Sequence, residues 1–385
     1  MKKIILIALS SLFFLSLSNN SQSIKLEQIL NSLTFEQKIG QFFVIKPEAL
    51  DENLTSDQIN SYAEHGKTSV TNQMRSFYKE YPAGGFVLFN KNLKNKEQLQ
   101  KLNKELHSLS DINPLIFIDE EGGTVARIAN NPNFDEKQFD EILKEMKNSD
   151  NPEKRAYEIG QTIGSYLKDY GFDVDFAPVA DFFTSRYNTV IGSRAFSTEP
   201  EAAGKCSVNM YKGLKVSGVD GCFKHFPGHG DTLSDSHVGN AFSNKKWNEL
   251  LKCEIIPFKM AINQNIDFIM TGHISCPQIT GNDLPATVSY ELITNRLRKE
   301  LRYRNLIITD SMIMKAIVNN FSSGEGAVEA INAGVDMILM PLEYKDAFDS
   351  VKNAVMTGKI SEQRFNESLR RIITYKLKRG LINGF

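Results

Sequence analysis

The sequence predicts an α/β protein built as a single (β/α)8 barrel of the TIM type, preceded by a signal peptide. Eight short apolar segments alternate with amphipathic stretches of helical periodicity, as in parallel strands covered by helices. Ionisable side chains follow five of these segments, at the rim where barrel enzymes place their active sites. A doubly wound open sheet is the alternative. It would require a glycine-rich turn after the first strand, where Lys46-Pro47-Glu48 stands instead.

The strand segments come first, because they define the barrel. In chain order they are Gln41–Ile45, Gly85–Asn90, Leu115–Asp119, Val174–Val179, Gly221–Phe226, Phe268–His273, Leu306–Asp310 and Asp336–Met340. The clearest helical stretches between them are Asn95–Leu109, Pro152–Tyr170, Pro200–Val216, Asn248–Gln264 and Tyr290–Arg302. A last amphipathic helix at Ser361–Leu381 is expected to close the barrel.

Residues 1–23 have the layout of a secretory signal peptide. Two lysines precede an apolar stretch at Ile4–Leu17, and small residues at Ser21–Ser23 suit cleavage. The apolar stretch is shorter than the ~20 residues that span a bilayer. We therefore expect export to the periplasm or the cell exterior, no stable membrane span after cleavage, and a barrel formed by residues 24–385. An uncleaved anchor and a buried helix are the alternatives.

The composition is that of an ordinary globular protein. Of the 385 residues 41% are hydrophobic, and 45 basic side chains balance 46 acidic ones to give a net charge of −1. These values exclude wholesale disorder and a polytopic membrane protein. The chain has no overall basic charge, so we expect no nucleic-acid partner. Its four cysteines are too few for a disulfide scaffold and are expected to be small buried side chains.

The densest group of reactive side chains is Lys224–Gly239, which follows the fifth strand. It holds three of the six histidines, and its glycines and proline indicate a shaped loop. Within it Asp235 stands two residues before His237. The carboxylate can accept a hydrogen bond from one ring nitrogen and leave the other free, which suits a general acid/base. A solvated loop with an incidental contact between the two residues is the structural alternative.

Other strand ends supply further candidates. Lys224 and His225 finish the fifth strand and could donate hydrogen bonds to a polar, uncharged ligand. Asp310, at the end of the seventh strand, is a candidate nucleophile, although it could equally cap the following helix. Asp119 opens an acidic run at the end of the third strand, and Arg194 lies in the loop after the fourth.

A metal site is the competing interpretation of the same region. The possible zinc ligands are His225, His229, Asp231, Asp235, His237 and His273. However, the first predicted strand contains no histidine, and a Pro-Gly turn separates His225 from His229, unlike the single helix face of an H-E-x-x-H site. We therefore expect neither a metal nor a cofactor.

Six motifs in order make the sequence resemble glycoside hydrolase family 3, in its single-domain β-N-acetylglucosaminidase branch. They are Ile118–Arg127, Phe176–Asp181, Gly192–Phe196, Lys224–His237, Pro285–Ser289 and Thr309–Ala316. The resemblance implies a retaining enzyme of the β-N-acetylhexosaminidase class. It would remove non-reducing terminal β-linked N-acetylglucosamine from peptidoglycan-derived or related glycans, and would act as a monomer.

The resemblance also implies a role for each candidate. Asp310 matches the nucleophile, and His237, held by Asp235, matches the acid/base of this branch. The positions that match binding of the sugar ring are Asp119, Arg194, Lys224 and His225. Four features depart from the family pattern: Glu120 stands where Gln is frequent, Thr124 where Arg is frequent and Ser311 where Ala or Asp is common, and Leu50–Tyr81 is longer and more polar than is typical. The alternatives are a metal-dependent barrel hydrolase and a catalytically idle barrel that binds glycan.

Overall fold

The eight predicted strands form one parallel sheet that curls into a barrel. The computed structural model describes residues 23–183, 188, 190–230, 232 and 241–384. The barrel strands are β1 (Phe43–Ile45), β2 (Gly85–Val87), β3 (Leu115–Ile118), β4 (Val174–Asp175), β5 (Asp220–Phe226), β6 (Phe268–Thr271), β7 (Leu306–Thr309) and β8 (Ile338–Leu339). They are hydrogen-bonded in the order β7-β6-β5-β4-β3-β2-β1-β8, and a parallel bridge between Ile308 and Met337 joins the two edges. The predicted barrel is confirmed.

Helices surround the sheet. The α-helices are Phe35–Gly40, Ser56–Asn60, Asn72–Glu80, Lys96–His107, Ile142–Lys147, Pro152–Tyr170, Pro200–Val216, Trp247–Leu250, Ile255–Asn263, Pro277–Thr280, Lys315–Val318, Ser323–Ala333, Tyr344–Met356 and Glu362–Lys378. Residues 23–32 are also helical, and Glu291–Glu300 is a π-helix. The single helix predicted at Asn248–Gln264 is wrong. Pro257 cannot donate a backbone hydrogen bond to the preceding turn, so the helix restarts at Ile255.

The strands are buried on both faces, which explains their near-continuous apolar sequences. In β1, Phe43 and Ile45 belong to the outer core against the helices, whereas Val44 between them belongs to the interior core. The rings of Phe117 and Phe176 stack inside the barrel, with centroids 5.0 Å apart. The interior is thus a packed core that supports the carboxyl-terminal rim from below.

The last helix, Glu362–Lys378, closes the opposite end of the barrel. Its Tyr375 hydroxyl donates to Asp220 Oδ2 at 2.7 Å, and Lys376 Nζ donates to the carbonyl oxygen of Gly84 at 2.9 Å. Burial lowers the pKa of Lys376 to about 7. The predicted closing helix is therefore present, and its polar groups are satisfied at the base of the barrel.

Asp336, just before β8, is the most heavily paired buried carboxylate at that end. Arg371 lies 3.0 Å from its Oδ1, Arg364 lies 3.4 Å away, and Arg298 donates to its other oxygen. Burial acts to raise its pKa, but the three guanidinium groups prevail and lower it to about 2. Asp336 is therefore ionised in the folded protein at all moderate pH values.

Two further expectations concern membranes and cysteines. No helix within the described residues combines the length and apolar character required to cross a bilayer. The signal peptide predicted at residues 1–23 lies outside the described residues, apart from Ser23. All four cysteines are free thiols, and three of them are buried.

Candidate active site

A cavity of about 210 Å³ opens at the carboxyl-terminal ends of the barrel strands. Five of the seven predicted site residues line it, namely Asp119, Arg194, Lys224, His225 and Asp310. The other two, Asp235 and His237, lie outside the described residues. The structure therefore brings these five residues together at one rim, four of them at strand ends and Arg194 in the loop after β4.

The end of β3 supplies two carboxylates that share one ammonium group. Lys224 Nζ lies 3.0 Å from Asp119 Oδ1 and 2.6 Å from Glu121 Oε1. Arg127 approaches the second oxygen of Asp119 at 3.6 Å. Burial acts to lower the pKa of Lys224, but Glu121 and Asp119 raise it above its ordinary value. Lys224 is therefore a fixed cation that can donate to a ligand hydroxyl.

Glu121 also holds Arg194 in a two-point contact. Arg194 Nε lies 2.8 Å from Glu121 Oε2, and Arg194 Nη2 lies 2.7 Å from Glu121 Oε1. Burial favours the protonated acid, but Arg194 and Lys224 lower the pKa of Glu121 far below its ordinary value. Planar paired contacts of this kind fix a guanidinium group in orientation as well as in position. Glu121 thus orients two of the predicted sugar-binding residues at once.

A second buried carboxylate, Asp181, contacts the backbone and ring of His225 near the end of β5 and the backbone of His229 after it. Its Oδ2 accepts from the backbone N–H of His225 at 3.0 Å and lies 2.6 Å from the Nδ1 atom of that ring. Its Oδ1 accepts from the backbone N–H of His229 at 2.6 Å. The contact through Nδ1 directs the Nε2 edge of His225 away from Asp181, and His225 lines the cavity.

Asn188 connects the loop that carries Arg194 to the start of the histidine loop. Its Nδ2 donates to the carbonyl oxygens of His229 at 2.6 Å and Gly230 at 3.1 Å. Its Oδ1 accepts from the backbone N–H of Ile191 at 3.0 Å, three residues before Arg194. One buried side-chain amide therefore joins two loops that both border the cavity.

Asp310 follows β7 directly and faces the cavity. Its backbone N–H donates to Thr271, and its Oδ1 accepts from the backbone N–H of Ser311 at 2.7 Å. His273 Nε2 supports this turn by donating to the carbonyl oxygen of Ser311 at 2.9 Å. Burial acts to raise the pKa of Asp310, but His225 and His273 lower it below its ordinary value. Asp310 is therefore an ionised carboxylate, as a nucleophile requires.

Glu120, which stands where the family often has Gln, supports the local structure and does not line the cavity. Its side chain is buried outside the cavity and accepts from the backbone N–H groups of Ile128 and Ala129, each at 2.9 Å. The Tyr166 hydroxyl donates to it at 2.7 Å. Because strand residues alternate between faces, Asp119 and Glu121 face the cavity while Glu120 faces the helices. Glu120 thus fixes the return of the chain after the Gly122–Gly123 turn.

Comparison with known proteins identifies the family. The model of the glycosyl hydrolase family 3 N-terminal domain matches residues 34–375, which include the whole barrel and all described site residues. The chain belongs to glycosyl hydrolase family 3.

Several known proteins are similar over most of this chain. The chain is 30% identical over 340 residues to β-hexosaminidase A of Pseudoalteromonas piscicida, covering 81% of this chain and 56% of that protein. It is 33% identical over 275 residues to the β-hexosaminidase of Nitrosomonas eutropha, covering 71% and 78%. A solved family 3 β-N-acetylglucosaminidase from Paenibacillus sp. FPU-7 superposes with a TM-score of 0.81 and 32% identity, covering 92% of this chain and 64% of that one.

Sequence reasoning missed how much of this family 3 site depends on Glu121. A signal was available, because Glu121 lies two residues after Asp119 and must share its face of the strand.

For the metal alternative, no group of three histidine, cysteine or carboxylate side chains within the described part of the chain could hold a metal ion. Three candidate ligands, Asp231, Asp235 and His237, lie outside that part.

Asp175, on the helix-facing side of β4, provides a pH-dependent test of the core between the barrel and its helices. Its Oδ1 accepts from the backbone N–H of Glu120 at 2.9 Å, and its Oδ2 has no hydrogen-bond partner among the described residues. Burial raises its pKa well above the ordinary value. A carboxyl group whose pKa is higher in the folded than in the unfolded protein contributes to the free energy of unfolding. This contribution is complete below about pH 4 and is lost as the pH rises toward the folded-state pKa.

We therefore expect Asp175→Asn to gain stability relative to the parent as the pH rises. The gain should approach about 1.4 kcal/mol per pH unit above pH 4, until the folded-state pKa is reached. Urea unfolding at pH 4, 5.5 and 7 measures it. Asp336→Asn is the control of opposite sign: its loss of stability should be about the same at these three pH values and should shrink only as the pH falls from about 4 toward 2, which a further measurement at about pH 2.5 checks. A difference for Asp175→Asn that is constant with pH would contradict the assignment.

Proposed function

We propose that this protein is a retaining β-N-acetylglucosaminidase of the β-N-acetylhexosaminidase class. The observation that carries the proposal is the geometry of the cavity. An ionised Asp310 shares a space of about 210 Å³ with four fixed hydrogen-bonding side chains, Asp119, Arg194, Lys224 and His225. A single sugar ring offers neutral hydroxyl groups that such donors and acceptors recognise. The relatives named β-hexosaminidase add support, although the chain spans only 56% of the first of them.

The proposed reaction has two steps. In the first, a carboxylate oxygen of Asp310 bonds to the anomeric carbon, the bond to the leaving oxygen breaks, and the acid/base donates a proton to that oxygen. In the second, water bonds to the anomeric carbon and releases Asp310, while its proton passes to the acid/base. Two inversions retain the β configuration. Proton NMR of the reaction should therefore show the β-anomer of N-acetylglucosamine first, and initial release of the α-anomer would contradict the mechanism.

We assign the acid/base to His237, oriented by Asp235. The support is the sequence pattern, together with the position of His229 and Gly230 at the cavity border immediately before this segment. An imidazole with a pKa near neutrality can both donate and accept the proton. His237→Ala should therefore slow substrates with poor leaving groups much more than 4-nitrophenyl substrates. Equal losses on both classes of substrate would argue against this role.

The first experiment is release of 4-nitrophenol from its β-N-acetylglucosaminide. It is run with and without EDTA, beside the corresponding β-glucoside. Turnover of the acetamido sugar that resists the chelator is the expected result. Loss of turnover on chelation, restored by added zinc, would favour the metal-dependent alternative. Binding of N-acetylglucosamine by calorimetry without any turnover would favour the catalytically idle barrel.

We also propose that the protein is exported and acts as a monomer on peptidoglycan-derived glycans. The support is the signal-peptide pattern of residues 1–23, which places the expected barrel domain at residues 24–385 outside the cytoplasm. Amino-terminal sequencing of the protein from the periplasm or medium tests the cleavage. An intact amino terminus in the cytoplasmic fraction would contradict export.

A further inference from the structure

Tyr62 is an aromatic side chain at the cavity that no motif assigned to the site. It lies in Leu50–Tyr81, the segment that departs from the family pattern. Its ring lines the cavity together with Asp119 and Asp310, yet 56% of the residue is exposed. An exposed ring beside a cavity that recognises sugars is available for contact with a ligand.

The ring of Tyr62 is held in place from one side. Lys46 Nζ lies 5.0 Å from the centroid of Tyr62 and 5.3 Å from that of Phe89. Phe89 contacts Tyr62 edge to face, with centroids 5.5 Å apart. Lys46 is buried and donates to Asn60 at 3.3 Å, which fixes the ammonium group in turn. The ring is therefore oriented before any ligand arrives, so little side-chain entropy is lost on binding.

Exposure increases from the floor of the cavity to its mouth. The side chain of Lys224 is 3% exposed and that of Asp119 is 20% exposed, whereas Tyr62 is 56% exposed. The hydroxyl-binding groups therefore form the floor, and Tyr62 stands at the opening. When the terminal sugar fills the floor, whatever is joined to its anomeric carbon must leave through the mouth.

We propose that Tyr62 is a stacking platform for the sugar unit on the leaving-group side of the scissile bond. This inference rests on the proposed function. The C–H face of a pyranose is apolar and packs on the face of an aromatic ring, while its hydroxyl edges stay in water. Tyr62 thereby favours substrates in which a second pyranose follows the terminal N-acetylglucosamine, over those with a small leaving group.

The test compares two substrates in the parent protein and in Tyr62→Ala. N,N′-diacetylchitobiose has a pyranose as its leaving group, and β-N-acetylglucosaminyl fluoride has none. We expect kcat/KM for the disaccharide to fall about fivefold more than kcat/KM for the fluoride, mainly through KM, as is typical of a lost aromatic contact. Tyr62→Phe keeps the ring and should keep the ratio of the two rates.

Tyr290 provides the matched control. It is 53% exposed, and Lys299 lies 5.5 Å over its ring, but it does not line the cavity. Tyr290→Ala should change neither rate. Equal losses on both substrates in Tyr62→Ala would place the ring against the terminal sugar and overturn the proposal. No loss on either substrate would also overturn it. If the parent hydrolyses the fluoride but not the disaccharide, the platform is also refuted. If it hydrolyses neither, the proposed function itself fails.

Discussion

Asp310→Ala should abolish turnover of 4-nitrophenyl β-N-acetylglucosaminide, with a loss in kcat of about 10⁴-fold or more. The carboxylate is the group that would bond to the anomeric carbon, and the substituted side chain offers no oxygen in its place. Asp310 does not cap the following helix, which begins at Lys315, and although burial acts to raise its pKa, His225 and His273 lower it below the ordinary value. A stopped colour assay with purified, folded protein measures the loss.

Azide makes this test specific. An external anion can occupy the space vacated in Asp310→Ala and attack the anomeric carbon from the same face, which yields an α-glycosyl azide. Recovery of this product would identify the lost group as the nucleophile. Asp175→Asn changes a buried carboxylate on the helix-facing side of β4 that does not line the cavity, so it is the control and should keep parental activity. Full activity of Asp310→Ala without azide would show that the nucleophile is misassigned.

Glu121→Gln is expected to have the second largest effect. The substitution keeps the size of the side chain but removes the charge that orients both Lys224 and Arg194. Removing the charge of one partner of a buried ion pair costs about 3–5 kcal/mol of stability, because the charge of the other partner is left uncompensated. We expect kcat/KM to fall about 100-fold, mostly through KM, because the donors to the sugar ring lose their fixed positions.

Glu145 offers a comparison remote from the cavity. Its Oε2 accepts two hydrogen bonds from Arg155, at 2.9 and 2.8 Å, but both side chains are partly exposed. Glu145→Gln should cost at most about 1 kcal/mol and leave KM unchanged. Thermal unfolding and steady-state kinetics of both variants separate loss of fold from loss of binding. An unchanged KM in folded Glu121→Gln would contradict its positioning role.

The barrel was predictable because its strands carry a local signal. Apolar segments buried on both faces are recognisable without knowing their partners, and the segment predicted at Leu115–Asp119 differs from β3 by one residue. Helix ends were less certain wherever a proline interrupts a helical pattern, as at Pro257. The expectation that ionisable residues at strand ends meet at one rim also located Asp119 and Asp310, because parallel strands bring their carboxyl ends to the same end of the barrel.

Long-range pairing was not predictable in the same way. Glu121 and Arg194 are 73 positions apart, and nothing local indicates that they share two hydrogen bonds. The adjacent acids at the end of β3 likewise have partners that are distant in the chain, namely Lys224, Arg194 and Tyr166. Tyr62 was missed because an isolated tyrosine in a polar segment carries no periodic pattern.

Asn188 has a consequence for how the site assembles. Since its amide binds both the loop before Arg194 and the backbone of His229 and Gly230, neither segment can shift without the other. The loop that carries Arg194 and the backbone of His229 and Gly230, which precedes the proposed acid/base, are therefore mechanically linked through Asn188. Ordering either segment lowers the entropic cost of ordering the other, so under the proposed function we expect sugar binding and proton transfer to be thermodynamically coupled.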